Sequence, residues 1–93
     1  MHAAALRLEL RLRDCTNRRQ KRRLMHEILD KLRRHFPVAL AEVDRDDEPD
    51  TAALGVAVVA ATRRVAEETL DRVVEAVAAH PRLELVRATV REI

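Results

Sequence analysis

Residues 18–23, "RRQKRR", hold four arginines and a lysine directly behind Asn17. Guanidinium forks packed that closely, beside the free amides of a helix start, make a site for an oxyanion, and phosphate fits both kinds of donor. The helix macrodipole already makes this end positive, so the cluster stands where positive charge is least welcome and a bound counter-ion would relieve it. The expected anion or nucleic-acid ligands are therefore Arg18, Arg19, Lys21, Arg22 and Arg23. Lys21 falls nearer the buried margin, where its stem can snorkel. A second basic strip, Arg7, Arg11 and Arg13, ends at the same turn and extends the expectation to Arg11 and Arg13. The competing reading is a solvated arginine-rich face, offset by Glu27, Asp30 and carboxylates from the acidic second half of the chain.

The remaining reactive side chains point to no catalysis. Cys15 lies between cations and a helix start, conditions that lower a thiol pKa. It also sits where cysteine-based phosphatases place their nucleophile. Those enzymes need an arginine at the spacing where this chain has Lys21, and glycines in the loop, whereas the one glycine here is Gly55. Cys15 reads as a small turn residue in a non-enzymatic protein. His2, His26, His35 and His80 show no metal-ligand spacing with one another or with Cys15. The run "DRDDEPD", residues 44–50, superficially resembles a calcium loop. Pro49 replaces its turn glycine and Gly55 stands at its distal glutamate, so a solvated turn is expected. No metal and no cofactor are expected. Glu42 and Asp44, two apart on a strand, should share a face and pair with the arginine strip.

A chain of 93 residues makes a single domain, 1–93. Its one cysteine allows no internal disulfide and fits a reducing cytoplasm. No apolar stretch approaches membrane-spanning length, and the N-terminus lacks the pattern of a secretory signal. The formal net charge of +2 is unevenly spread. Residues 1–45 carry 12 Arg and Lys against 6 Asp and Glu, a net of +6; residues 46–93 carry 6 against 10, a net of −4. Such asymmetry implies a basic surface aimed at an anionic partner. Lysine occurs only at Lys21 and Lys31, and a GC-rich coding sequence would produce the same arginine bias. The weight therefore rests on where the arginines sit.

These groups need elements to position them. From Leu6 to Arg13, leucines alternate with charged residues, the period of a half-buried strand. Asp14 to Thr16 turns the chain and Asn17, or Thr16, can cap a helix. Leu24, Met25, Ile28, Leu29, Leu32 and Phe36 then follow helical spacing until Pro37 stops it. A strand from Val38 to about Asp44 leads through the acidic turn to "AALGVAVVAA", residues 52–61, apolar on both sides and so a central strand. Helical period returns at Ala66, Leu70, Val73, Val74 and Val77 and ends near His80 and Pro81. The last strand runs from Leu83 to about Arg91, with a shift of apolar phase that implies a bulge or two-sided burial. The order βαββαβ predicts an α+β, ferredoxin-like domain, a four-stranded antiparallel sheet with two helices on one face.

Three stretches, "NRRQKRR", "FPVALAEVD" and "LGVAVVAAT", in that order and spacing, resemble the YlxP-like family of uncharacterised bacterial proteins. The resemblance spans nearly the whole chain. It places Asn17 at the family's serine cap, Arg19, Lys21 and Arg22 at its basic positions, Gln20 at its glutamate, and Glu42 and Asp44 at its Glu-Val-Asp. Arg18 replaces a leucine, and residues 48–51, "EPDT", stand where a Leu-Trp-Gln-Arg loop is expected. The resemblance implies a ferredoxin-like fold and, by gene neighbourhood, an association with translation and ribosome maturation.

Phe36 is the only aromatic residue, which removes the stacking platform by which RRM domains of similar fold read single-stranded bases. The expected function is a small cytoplasmic binding protein, not an enzyme, that docks structured RNA or ribosomal particles through phosphate and shape contacts at the basic helix start. The alternative is an interaction or assembly module that meets an acidic protein. Because two helices cover one face only, Ala57 and Val59 on the open face predict a homodimer contact.

Overall fold

The computed structural model describes residues 1–44 and 47–92, and Arg45 and Asp46 of the acidic turn lie outside the described residues. The elements are β1 (His2–Leu12), α1 (Arg18–His35), β2 (Ala39–Asp44), β3 (Thr51–Ala60), α2 (Arg63–Ala78) and β4 (Leu83–Glu92). The strands form one sheet in the order β2-β3-β1-β4, every neighbour antiparallel. This is the ferredoxin-like βαββαβ fold, with both helices on one face.

Alternation in β1 sets the layers. Ala4, Leu6, Leu8, Leu10 and Leu12 are all buried beneath the helices, while Arg7, Glu9 and Arg11 point the other way. The strand starts four residues before the first leucine, because residues 3–5 are alanines whose alternation carries no polarity contrast. Leu24, Met25, Ile28 and Leu32 of α1 fill the core, each burial worth about 1.5–3 kcal/mol. Ala66, Leu70, Val73 and Val77 do the same from α2. Phe36 closes α1 in an extended conformation at φ −132° and ψ 141°, as a residue preceding proline must.

Two bulges rephase the edge strands. Between β1 and β4 the register shifts after Glu9, so that Arg87 pairs with Glu9, Leu85 with Leu10, and Val86 is the extra residue. Leu83 and Leu85 therefore face the helices from one side of the bulge, and Ala88 and Val90 from the other. Between β2 and β3 the shift falls at Val43: Glu42 pairs with Leu54 and Asp44 with Ala53. Glu42 and Asp44 thus lie on opposite faces of the sheet, contrary to the spacing argument. Only Asp44 reaches the arginine strip, 3.6 Å from Arg7.

The far ends of β1 and β4 are clasped together by two arginines. Arg13 donates to the carbonyls of Pro81 and Leu83 at 2.9 and 3.2 Å. Arg82 answers through Nη2, donating to the carbonyls of Arg13 and Asp14 at 3.2 Å each. Asp14 takes a left-handed conformation, φ 60°, to make this turn, one that aspartate tolerates better than most residues.

Beside the clasp, a groove of about 580 Å³ separates the second half of α1 from the end of α2; Ile28, Leu32, Phe36, Ala76 and Val77 form its apolar walls. His80 sits on its rim and accepts the Arg82 amide through Nδ1 at 3.1 Å. Its pKa is lowered from the ordinary value of 6.5 by partial burial first, then by Lys31 and Arg82, with Glu27 acting in the opposite sense. A histidine with a depressed folded pKa stabilises the fold fully above the unfolded pKa and loses that contribution as pH falls below it, because the unfolded chain then binds the extra proton. Protonated Nδ1 would also lose its acceptor role. Thermal stability should therefore fall as the pH drops through 6.5, and His80→Asn, which keeps an acceptor, should flatten part of that fall. An identical slope in the variant would remove His80 as its source.

Candidate nucleic-acid interface

The start of α1 is built by its cap. Asn17, extended at φ −149° and ψ 167°, accepts the Gln20 amide on its side-chain oxygen at 2.9 Å. The Gln20 side chain returns the contact, accepting the Thr16 amide at 2.7 Å and the Thr16 hydroxyl at 3.0 Å. This is a capping box set back by one residue. The first turn contains no acidic residue, so the positive end of the helix dipole and its arginines are unopposed from within the helix.

The counter-charge comes from the acidic turn. Asp47 forms an ion pair with Arg18. Lys21 is 6% exposed and donates its ammonium to the Glu48 carbonyl at 2.9 Å. The turn is held in place from below by the Leu12 amide, which donates to the Asp50 carbonyl at 2.7 Å. Lys21 therefore does not reach the outer surface expected of it; its stem packs in the core and its charge fastens the turn to the helix.

The two strip residues are also placed apart from the cluster. Arg13 is spent on the β4 clasp. Arg11 lies on the open face of the sheet, 4.0 Å from Glu84, whereas α1 lies on the opposite face. Neither extends the helix surface.

What remains is Arg19, Arg22 and Arg23. All three are exposed, and among the described residues none makes a hydrogen bond or ion pair. At 100° per residue they fall on the outward stripe of α1, opposite Leu24, Ile28 and Leu32. His26, Arg33 and Arg34 lie on the same stripe of the 18-residue helix, but Asp30 stands among them and Glu27 at its edge, so the basic patch is confined to the first turns. Arg33 donates to the Leu40 carbonyl at 3.1 Å and Arg34 lies 3.5 Å from Asp30. Arg33 and Arg34 are thus held by groups of the protein itself and add little free charge to the patch.

The start of α2 makes the contrast plain. It is also arginine-rich, but Arg63 and Arg64 meet Glu67 and Glu68 at 2.8 and 3.0 Å, one turn on. Similar positions in the two helices thus carry neutralised charge in one and free charge in the other.

Cys15 is 6% exposed and belongs to the core, with Arg82 Nη2 3.6 Å from its sulfur. Among the described residues no three His, Cys, Asp or Glu side chains gather as a metal ion would require. No described helix is long and apolar enough to cross a membrane.

The cap offers a direct test of the electrostatics. Asn17→Ala should cost about 1 kcal/mol in thermal unfolding. Asn17→Asp keeps the cap and adds the missing negative charge, so it should stabilise by about 0.3–1 kcal/mol at low salt and less at high salt. Destabilisation by Asn17→Asp at low salt would mean that the helix start is not electrostatically strained.

None of the curated proteins resembles the chain closely enough to count as a relative. Among solved structures, the chain is similar to a de novo designed protein with a ferredoxin fold determined by solution NMR. The TM-score is 0.52 at 14% identity, covering 100% of this chain and 84% of that one. At that identity the likeness concerns the fold alone, and it agrees with the βαββαβ order found here. A family model described as "Protein of unknown function (DUF503)" matches residues 3–90. With the match spanning every strand and both helices but for the chain's first two and last three residues, the chain belongs to the DUF503 family of proteins of unknown function.

Proposed function

We propose that the outer face of α1 is a phosphate-docking surface for structured RNA, and that the protein is a cytoplasmic, non-enzymatic RNA- or ribosome-binding member of its family, in the YlxP-like, bacterial branch that its sequence resembles. The observation that carries this reading is the unpaired state of Arg19, Arg22 and Arg23. The protein neutralises comparable arginines elsewhere, at Arg18 with Asp47 and at Arg63 and Arg64 with their glutamates. It leaves these three exposed on a rigid helix with no described partner. Three guanidiniums on one helix stripe can follow a phosphate backbone, and the flat spread of charge suits double-helical or folded RNA.

The chemistry also limits the mode of readout. The single aromatic, Phe36, caps α1 and packs against the core, so bases are not stacked. The outward residues of β1 and β3 are Arg7, Glu9 and Arg11, and Gly55, Ala57 and Val59. Recognition would rest on phosphate positions and RNA shape, with little sequence preference. Affinity from so few contacts belongs in the weak range of non-specific binding, roughly 10⁻⁴ to 10⁻⁶ M at physiological salt.

The test is affinity for a folded ribosomal RNA fragment across a salt series. Wild type should show a log–log slope equivalent to about three released counter-ions. Arg19→Ala/Arg22→Ala/Arg23→Ala should lose most of that slope, while Arg63→Ala/Arg64→Ala, which removes already neutralised charge, should keep it. Equal, weak binding by all three proteins would end the RNA reading. Capture of an acidic protein in stoichiometric, nuclease-resistant form would replace it.

A further inference from the structure

We infer that the open face of the sheet is a self-complementary surface on which a second copy of this chain docks, about a two-fold axis running parallel to the strands between β1 and β3. Three observations lead there. The first is exposure: Val59, Val86 and Val43 are 67, 58 and 46% exposed on this face. Val43 borders a shallow depression of about 430 Å³ whose lining includes Ala5, Ala57, Ala39 and Gly55. Gly55 is required there, because a Cβ at this position would come within 2.7 Å of the Val43 side chain that lies across it.

The second observation is the charge pattern fixed by the strand register. Across the sheet, Ala39, Ala57, Ala5 and Arg91 form one row, Ala41, Gly55, Arg7 and Thr89 the next, and Asp44, Ala53, Glu9 and Arg87 a third. The proposed rotation exchanges β2 with β4 and β3 with β1 while keeping each row. It sets Ala57 against Ala5 and Val59 against Ala3, so the apolar centre meets itself. It sets Asp44 against Arg87, an opposite pair. Arg7, Glu9, Arg91 and Arg11 meet Gly55, Ala53, Ala39 and Thr51. None of these three rows brings like charges face to face, and Arg7, Glu9 and Arg11 each meet a residue small enough to make room for them. A partner of different sequence would have to match this grid; the grid matches itself. Strand directions in the two sheets coincide, and their twist gives the aligned packing common in sandwiches.

The third is area. Three strands of ten or eleven residues and one of six, spaced about 4.8 Å apart, offer roughly 500 Å² per protomer. That is the lower end of specific interfaces, where about 800 Å² per partner is standard. The dimer is accordingly weak and governed by concentration. This surface is on the side of the sheet opposite α1, so the inference does not depend on RNA binding.

Sedimentation equilibrium of the RNA-free protein over a wide concentration range tests it, with thermal unfolding as the check that each variant is folded. Wild type should show a reversible monomer–dimer equilibrium. Val59→Asp should raise the dissociation constant by at least tenfold. Val90→Asp should not: Val90 is 63% exposed but lies on the helix side of the edge strand, opposite Leu6. Asp44→Arg and Arg87→Asp should each weaken the dimer, and the doubly swapped protein should recover it. A protein that stays monomeric at every concentration overturns the inference. So does a dimer that Val59→Asp leaves unchanged, or one that Val90→Asp weakens equally.

Discussion

One constraint governs this molecule: two helices cover one face of a four-stranded sheet, and nothing in the fold covers the other. The core lies between the helices and the inward residues of the strands, and the strict alternation of leucine with charge in β1 enforces it. The outward side must then be satisfied without a second apolar layer. The chain does so by laying ion pairs across the face, Arg7 to Asp44, Glu9 to Arg87 and Arg11 to Glu84, at 3.6 to 4.0 Å. Exposed pairs of that length contribute little apiece, about 0–1 kcal/mol. They nevertheless shield the backbone of the inner strands: Ala53, which points outward, is only 2% exposed. Beyond the last ion pair, towards Ala57 and Val59, no such cover exists, and that is where the apolar surface opens.

The same economy of layers explains the helix start. Positive charge at the N-terminal end of α1 opposes the macrodipole, and the fold answers it locally and incompletely. Asp47 takes Arg18, the Glu48 carbonyl takes Lys21, Asn17 takes the Gln20 amide and the Gln20 side chain takes the Thr16 amide. The two charged groups are thus met by the acidic turn and the amides by the cap itself. Arg19, Arg22 and Arg23 project from the outer stripe and form no ion pair among the described residues, although Glu27 stands one turn after Arg23. A merely solvated arginine-rich face would be expected to pair its arginines with acidic residues one turn away, as α2 does with Glu67 and Glu68 and the end of α1 does for Arg34 with Asp30.

The sequence was most readable where a signal was local. Pro37 stopped α1, Asn17 capped it, the apolar run of β3 placed that strand inside the sheet, and the broken phase of β4 marked its bulge. What escaped was set by contacts distant in sequence. Nothing around Arg13 tells of its hydrogen bonds to Pro81 and Leu83, some seventy residues away. The bulge at Val43 separates Glu42 from Asp44 because of how β2 meets β3, not because of its own residues. Lys21 stands on the margin of the helical wheel, where period alone does not decide between snorkelling and burial, and the acidic turn decides it. The site was thus half visible: its residue types could be named in advance, but which guanidiniums remain free depends on where carboxylates arrive in three dimensions.

The two surfaces are geometrically independent, and their independence limits how they could act together. A dimer joined through the sheets would be four layers thick, with sheets about 10 Å apart and a helix about 10 Å across outside each. Its two α1 stripes would then lie on opposite outer surfaces, roughly 40 Å apart. A single RNA hairpin could engage one stripe but not both, so dimerisation would add nothing to its affinity. A large folded RNA, or two particles, could meet both stripes at once, and only then would linking the two sites raise the apparent affinity through effective concentration. Salt-dependent binding to a small hairpin therefore reports the chemistry of the helix face alone, and any gain on a larger RNA that appears only above the dimerisation threshold reports the sheet.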